Sequence, residues 1–273
     1  MAFLQAYEKT HFLKDAIKRI ADGSRPAFTG VLDIILPPKC LKCGCRIDQA
    51  HNICPDCWKQ IHFISSPMCQ SCGYPFEFEM SGDFNTRDKN LCAACHQQAR
   101  KFDKCISVLR YDDHSKNMII GFKHQDRLEY AHYFAKLLKR AGAVFFKDVA
   151  MIIPVPLHEK RLFKRRYNQS ALLSTILTKS LQGDGIKIDH QPQLLCRIKN
   201  TPPQQGNIKK RSQNVRGVFE IDKSRKALIK DKNILLLDDV YTTGATAENC
   251  AKTLKKAGAN KVFVLTLYRA VSA

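Results

Sequence analysis

The chain has 273 residues, of which 44% are hydrophobic and 26% charged, and its formal net charge at pH 7 is +20. These proportions indicate a soluble globular protein, and no stretch approaches the ~18 uninterrupted apolar residues that span a membrane. The first nine residues lack the charged-then-apolar pattern of a signal peptide, so we expect a cytoplasmic protein.

The positive charge is unevenly distributed. Residues 1–105 hold 14 basic and 11 acidic side chains, which leaves 31 basic and 14 acidic side chains for the rest of the chain. A strongly positive surface suits polyphosphates or nucleic acid as partners. It can also serve solubility alone, and charge by itself does not distinguish a nucleotide from DNA.

Two apolar segments come first along the chain. The apolar positions of residues 3–21 recur at helical spacing and predict a short amphipathic helix. Residues 31–38 form a second apolar run, which two prolines end. Either segment could pack on the main domain, and we assign residues 1–30 to an N-terminal helix.

Nine of the twelve cysteines lie between Cys40 and Cys95. Eight of them form four CxxC pairs, and each pair places two thiolates on one side of a tight turn. Two such turns facing each other supply the four ligands of a tetrahedral zinc site, whereas a reducing cytoplasm argues against disulfides. The predicted zinc ligands are Cys40, Cys43, Cys54, Cys57, Cys69, Cys72, Cys92 and Cys95.

Sequential pairing is the simplest arrangement, with the first four of these cysteines (the first quartet) on one zinc ion and the last four (the second quartet) on another. A cross-braced arrangement is also open, and Cys45 and His96 are either substitute donors or unligated neighbours. Thiolate-only sites leave no position for water, so the zinc is expected to be structural and to supply folding free energy. A redox CxxC would instead be one pair near a βαβ pattern. We therefore predict a double zinc ribbon over residues 31–102, with residues 79–90 as a polar loop.

Strand and helix patterns alternate from about residue 103 onward. This alternation predicts an α/β domain over residues 103–273, with a mainly parallel sheet and helices on both faces. Ligands of such sheets bind at the carboxyl ends of the strands. The predicted strands cover residues 106–111, 149–156, 234–237 and 261–267, and the predicted helices cover residues 126–141, 168–181 and 245–257.

A candidate phosphate-binding loop follows the strand at residues 234–237. The four apolar residues of that strand suit burial on both faces, and a predicted helix begins a few residues later. Backbone N–H groups at a helix start have no intrahelical partner and favour an anion there. Gly244 permits close approach or a positive φ angle, and the neighbouring threonine hydroxyls can add hydrogen bonds.

Asp238 and Asp239 lie between the strand and this loop. Two carboxylates would repel a phosphate, but they can accept hydrogen bonds from a neighbouring diol or hold Mg²⁺ through its water shell. A ribose 5-phosphate offers both an anion and a diol, so we predict binding of a ligand such as phosphoribosyl pyrophosphate. Alternatively, either aspartate could be a helix N-cap and Thr-Gly an ordinary turn. The chain has no Walker loop and no dinucleotide-binding glycine motif.

The string from Leu237 to Thr246 resembles the phosphoribosyl pyrophosphate signature of type I phosphoribosyltransferases. Three further strings resemble the ComF family of competence-related proteins: residues 154–169, residues 197–219 and residues 36–44. The likeness covers the chain from residue 31 onward. One departure is Arg166, where the family usually has glycine before the aromatic residue.

The resemblance implies a role for each matching position. Asp238 and Asp239 would be the catalytic pair, touching the ribose hydroxyls or metal-bound water. Phosphate and ribose binding would fall to Tyr241, Thr242, Thr243, Gly244, Ala245 and Thr246. Candidates for neutralising the pyrophosphate, or for a mobile basic loop over the site, would be Arg161, Arg165, Arg166, Arg197, Lys199 and Arg211.

These basic residues also have interpretations that involve no ligand. The arginines at 161–166 could be a solvated helix start, and residues 197–216 could be simply disordered.

Two hypotheses of different class follow. The first is a Mg²⁺-dependent phosphoribosyltransferase with an unknown acceptor, linked to DNA uptake or utilisation; the fold also serves as a ligand sensor, so catalysis is left open. The second is a non-catalytic factor that handles single-stranded DNA through the basic surface, with the zinc ribbons as a DNA- or partner-contacting module. Other competence proteins would be further partners of either.

Overall fold

A computed structural model describes residues 37–76, 90–125, 127–199 and 217–271. The predicted N-terminal helix, the first six residues of the apolar run at 31–38, and nearly all of the loop at 79–90 lie outside the described residues. So does most of the segment 197–216, including Arg211.

Seven strands occur among the described residues: β1 (Lys104–Arg110), β2 (Met151–Pro154), β3 (Asp189–His190), β4 (Leu195–Arg197), β5 (Phe219–Ile221), β6 (Ile234–Tyr241) and β7 (Val262–Arg269). Five of them form a sheet in the order β1-β7-β6-β2-β3, and every neighbouring pair is parallel. The two remaining strands, β4 and β5, form a separate antiparallel pair. The prediction of a mainly parallel α/β sheet is therefore confirmed.

Strand β6 divides the core into two halves. The side chains of Ile234, Leu235, Leu236 and Leu237 are all fully buried. Because successive strand residues point to opposite faces, Leu235 and Leu237 join one cluster of buried side chains, and Ile234 and Leu236 join the other. A polar residue at any of these four positions would be buried, which explains the uninterrupted apolar run.

The helices cover both faces of the sheet. They are α1 (Pro55–Lys59), α2 (Ala93–Gln97), α3 (Lys116–His124), α4 (Tyr130–Gly142), α5 (Glu159–Arg165), α6 (Gln169–Gly183) and α7 (Ala245–Lys256), together with a 3₁₀-helix at Lys223–Ile229. Buried residues of α3, α4 and α6 pack on the face of Leu235 and Leu237. Buried residues of α7 and the β4–β5 pair pack on the opposite face. None of the helices in the described part of the chain combines the length and apolar character needed to cross a membrane.

The sequence predicted the long elements and the short strand β2, but it missed several other short elements. The strands predicted at residues 106–111, 234–237 and 261–267 are confirmed as β1, β6 and β7, and the last two run further because they are central in the sheet. The helix predicted over residues 126–141 begins at Tyr130 and ends at Gly142. Helix α3, strand β3 and the β4–β5 pair were not predicted, because each is short or lies at a charged surface, and α5 had been left open as a solvated helix start.

The two halves of the cysteine-rich region pack on opposite faces of the sheet. Cys40, Cys54 and Cys57 belong to the cluster that contains α4, where the Tyr130 hydroxyl donates to the Leu41 carbonyl oxygen (2.7 Å). The buried members of the second quartet belong to the opposite cluster. The backbone N–H of Cys105, on β1, donates to the Ser71 carbonyl oxygen (2.8 Å), which ties this half to the edge of the sheet.

Two glycines offer a matched test of this packing. Gly44 and Gly73 each lie one residue after a CxxC pair and have φ angles of +78° and +71°. A Cβ atom on Gly73 would lie 2.6 Å from the Cys105 carbonyl oxygen, whereas a Cβ atom on Gly44 would meet nothing within 4 Å.

We expect Gly73→Ala to destabilise the protein by about 1–3 kcal/mol more than Gly44→Ala, because only Gly73→Ala pushes against backbone. Both substitutions share the strain of a positive φ angle. Thermal and urea unfolding of the two variants measure the difference, and equal destabilisation would contradict the packing described here.

Candidate functional site

Two polar segments meet at the carboxyl edge of the sheet. Strands β2 and β6 are parallel neighbours, and Pro154 is in register with Leu237. The chain therefore leaves both strands at the same edge, where it continues into α5 after β2 and into α7 after β6. This is the edge at which open parallel sheets bind ligands.

The loop between β6 and α7 leaves the start of α7 open. Gly244 is the N-cap of α7 and has a φ angle of 80°, and it has no side chain with which to cap the helix. The Thr243 hydroxyl oxygen is buried and has no hydrogen-bond partner among the described residues. A buried hydroxyl group without a partner is costly, so this atom, together with the backbone N–H groups of the first turn, fits an anionic ligand.

Tyr241 lies beneath this loop and not at its surface. Its side chain is 3% exposed, and the guanidinium carbon of Arg269 lies 4.3 Å from its ring centroid. A Cβ atom on Gly244 would lie 2.1 Å from the Tyr241 hydroxyl oxygen. Glycine is therefore required at position 244 both for its φ angle and for the tyrosine packed under it. Thr242 is exposed, and Ala245 and Thr246 are partly buried in the first turn of α7.

The two aspartates have different environments. An Asp238 carboxylate oxygen accepts hydrogen bonds from its neighbour's backbone N–H (2.9 Å) and from the Ser170 hydroxyl (3.2 Å). An Asp239 carboxylate oxygen lies 3.0 Å from Lys123 Nζ and 4.0 Å from Arg165 Nη1. Burial raises the pKa of Asp238 to about 7, and the charge of Asp239 adds to the rise. The side chains that hold the aspartates come from α3, α5 and α6.

Basic side chains crowd together beside the aspartates. Burial lowers the pKa of Arg161, and the neighbouring Arg165 adds to the effect. Burial likewise lowers the pKa of Arg197, with a further contribution from Arg161. The Arg197 Nε group donates to the Lys199 carbonyl oxygen (3.4 Å), near the end of the described segment. Like charges held together in partly buried positions destabilise one another, so an anion placed among them would be stabilised.

Arg166 adopts the left-handed conformation, with a φ angle of 65° at the C-cap of α5. This conformation costs a residue other than glycine about 1–2 kcal/mol. It explains why a glycine would suit this position, and the arginine keeps the same backbone geometry. The next residues are well anchored, because the Tyr167 hydroxyl donates to the Phe122 carbonyl oxygen and Asn168 caps α6.

Two residues at the aspartate pair were absent from the sequence-based list. Lys123 lies on α3, a helix that the sequence did not predict, and nothing in the pattern around it marks it. Ser170 lies in the first turn of the predicted helix at 168–181, where it reads as an ordinary helical residue. Both are brought to Asp238 and Asp239 by helix packing on the sheet, and no local signal could have identified them.

The eight CxxC thiols form two quartets in sequential order. Cys40, Cys43, Cys54 and Cys57 make one, and Cys69, Cys72, Cys92 and Cys95 make the other; within each, all sulfur atoms lie within 4.8 Å of one another. The Cys43–Cys54 and Cys72–Cys92 sulfur separations are 3.7 and 3.6 Å. Tetrahedral Zn–S bonds of about 2.3 Å separate sulfurs by about 3.8 Å, so both quartets fit structural zinc. Cys45 and His96 lie outside the quartets.

Comparison with known proteins agrees with this architecture. Residues 31–96 match the double zinc ribbon domain, and residues 138–272 match the phosphoribosyl transferase domain. The chain is 30% identical over 241 residues to Competence protein F of Haemophilus influenzae, covering 85% of the chain and 97% of that protein. It is 26% identical over 243 residues to DNA utilization protein YhgH of Salmonella typhimurium (86% and 99% covered). It is also 26% identical over 220 residues to Competence protein ComFC of Bacillus subtilis (80% and 84% covered).

The raised pKa of Asp238 predicts a pH-dependent stability difference. A carboxyl group whose pKa rises from 3.8 to about 7 on folding stabilises the fold fully below pH 3.8, and that contribution is lost as the pH rises through 7. The amide side chain of Asp238→Asn cannot ionise, so this variant does not lose stability in this way as the pH rises.

We therefore expect the melting temperature of ligand-free Asp238→Asn, relative to the unsubstituted protein, to increase between about pH 4 and pH 8, where 1 kcal/mol corresponds to about 2–4 °C. Asp56→Asn, at an exposed side chain of α1, is the control. A difference that stays constant with pH for Asp238→Asn would contradict the burial of a carboxylate at this position.

Proposed function

We propose that this chain, which belongs to the ComF family of competence proteins, binds phosphoribosyl pyrophosphate or a related ribose 5-phosphate together with Mg²⁺. The observation that carries this proposal is the uncapped start of α7, with the buried Thr243 hydroxyl group, beside two carboxylates. One ligand that presents a phosphate and a neighbouring diol satisfies both halves of the site.

The 5-phosphate is assigned to residues 242–246. Backbone N–H groups of the first helical turn and the helix dipole favour a dianion there. The hydroxyl groups of Thr242, Thr243 and Thr246 are the side-chain donors available to it. Tyr241 supports this loop from below, so we assign it a packing role under the phosphate and no direct contact.

The ribose hydroxyls are assigned to Asp238 and Asp239. Lys123 and Ser170 hold these carboxylates in place, so the acceptor oxygens are positioned before the ligand arrives. Such preorganisation reduces the entropy lost on binding. Mg²⁺, when bound, would neutralise phosphate charge and would reach the same carboxylates through its water shell.

The pyrophosphate is assigned to the basic residues that follow β2 and β4. Arg161 and Arg165 lie on α5, and Arg197 ends β4, so cations approach the site from two sides. Departure of pyrophosphate from the anomeric carbon leaves positive character on the sugar and negative charge on the leaving group. Fixed cations stabilise that departing charge. We propose ribose 5-phosphate transfer to an acceptor as the reaction class.

The cellular role that we propose is DNA uptake or utilisation in the cytoplasm, as the relatives' names suggest. None of the twelve described cysteines forms a disulfide, which fits a reducing compartment.

A second candidate is a non-catalytic factor that handles single-stranded DNA, supported by the net charge of +20. In that case the ribose phosphate would regulate DNA binding and would not be consumed.

Calorimetry with phosphoribosyl pyrophosphate and Mg²⁺ on the zinc-loaded protein tests the proposal. We expect saturable binding that Asp239→Asn weakens about 10- to 150-fold, because a hydrogen bond to a charged group contributes about 1.5–3 kcal/mol. Asp184→Asn removes a carboxylate beyond the end of α6, paired with Lys139, and should stay within about twofold of the unsubstituted protein.

Absence of binding, or equal affinity in Asp239→Asn, would overturn the ribose assignment. Pyrophosphate release on adding an acceptor would support the transferase. Single-strand binding that falls steeply with salt and persists in Asp239→Asn, with no pyrophosphate release on adding an acceptor, would favour the second candidate.

A further inference from the structure

Arg100 connects the second zinc quartet to the first turn of α7. Its Nε group donates to the Cys95 sulfur (3.2 Å), and its Nη1 atom lies 3.7 Å from a carboxylate oxygen of Glu248. The other carboxylate oxygen of Glu248 accepts from the backbone N–H of Lys101 (3.0 Å). The Arg100 side chain therefore touches a zinc ligand and also forms an ion pair with the first turn of the helix whose start is the candidate phosphate site.

Arg269 makes a second connection between the second quartet and the phosphate loop. Its guanidinium donates to the Cys72 carbonyl oxygen (2.6 Å) and to the Cys72 sulfur (3.4 Å). The same group lies against the ring of Tyr241, whose hydroxyl fills the space where a side chain at Gly244 would lie. Tyr241, which lies under the loop, therefore packs on an arginine that is bonded to Cys72 of the second quartet.

Charge explains why arginines occupy these two positions. Four thiolates and one Zn²⁺ carry a net charge of −2, and a buried charge of this size requires compensation. Arg100 and Arg269 supply two positive charges at the sulfur atoms, and their remaining contacts reach Glu248 and Tyr241. Groups outside the ligand set that bond to ligands typically change metal affinity or activity about 10- to 100-fold when they are removed.

The first quartet provides an internal contrast. It packs on the opposite face of the sheet, where the Tyr130 hydroxyl on α4 donates to the Leu41 carbonyl oxygen and residues 62–64 pair with β1. Helix α7 belongs to the other face. The two zinc sites are alike in chemistry, but the second is the one in contact with the elements that form the phosphate loop.

We propose that the zinc-loaded second quartet positions the phosphate loop at residues 242–246, with Arg100 and Arg269 as the positioning residues. The first quartet has no such role and stabilises the opposite face. The identity of the ligand rests on the proposed function above, whereas the coupling between the zinc site and the loop does not.

Hydrogen exchange on the ligand-free, zinc-loaded full chain tests the coupling. The reporters are the backbone amides of residues 248–251, the first in α7 to have intrahelical acceptors. We expect Arg100→Gln and Glu248→Gln to speed their exchange about tenfold at unchanged zinc content. Tyr130→Phe, which removes one hydrogen bond between the main domain and the region of the first quartet, should leave them unchanged.

Affinity for phosphoribosyl pyrophosphate is the second measurement. We expect both loop-coupled variants to bind it about tenfold more weakly and Tyr130→Phe to bind it normally. Glu248→Gln leaves the contact between Arg100 and Cys95 intact. This variant therefore tests the coupling even if Arg100→Gln loses zinc.

Unchanged exchange at residues 248–251 in Glu248→Gln, or equal acceleration in Tyr130→Phe, would overturn the coupling. Faster exchange in a protein that binds no phosphoribosyl pyrophosphate would support the coupling and overturn the ligand assignment.

Discussion

Strand β6 is buried on both of its faces, and this burial determines where the polar residues after it can lie. Its apolar side chains fill the two halves of the core, so the chain can become polar only at the carboxyl edge of the sheet. There Asp238 and Asp239 meet Lys123 and Ser170, and α7 begins without a capping side chain. The parallel partner β2 delivers α5 and its arginines to the same edge. The site is therefore a consequence of the parallel topology.

The cysteine-rich region extends this core. Its quartets sit on opposite faces of the sheet, and each contributes buried residues to the cluster on its own face. A short polar segment has little apolar surface to bury, and zinc held by the quartets would supply folding free energy. On the face of α7 the metal site also meets Arg100 and Arg269. The polar contacts of these two arginines join the zinc ribbon to the domain that holds the loop.

The fold class could be predicted from the sequence because the patterns that indicate it are local and strong. Four CxxC pairs, the apolar run at 234–237 and the aspartate pair before the loop can each be recognised without knowing any neighbour. The sequential pairing of the quartets, left open by spacing alone, needed the structure. Lys123 and Ser170 could not be found, since only the packing of α3 and α6 brings them to the aspartates. The burial of Tyr241 beneath the loop was also not predictable, because a residue's place above or below a loop depends on the backbone path and not on its position in a motif.

The central claim is that a sugar phosphate occupies the start of α7 with its hydroxyl side toward Asp238 and Asp239. A crystal structure of the zinc-loaded protein grown with ribose 5-phosphate and Mg²⁺ tests it most directly. The account predicts phosphate oxygens about 2.7–3.2 Å from backbone nitrogens of the loop and ribose hydroxyls facing the two carboxylates. A ligand bound elsewhere, with Lys123 still paired with Asp239 and no ligand atom at the start of α7, would contradict it.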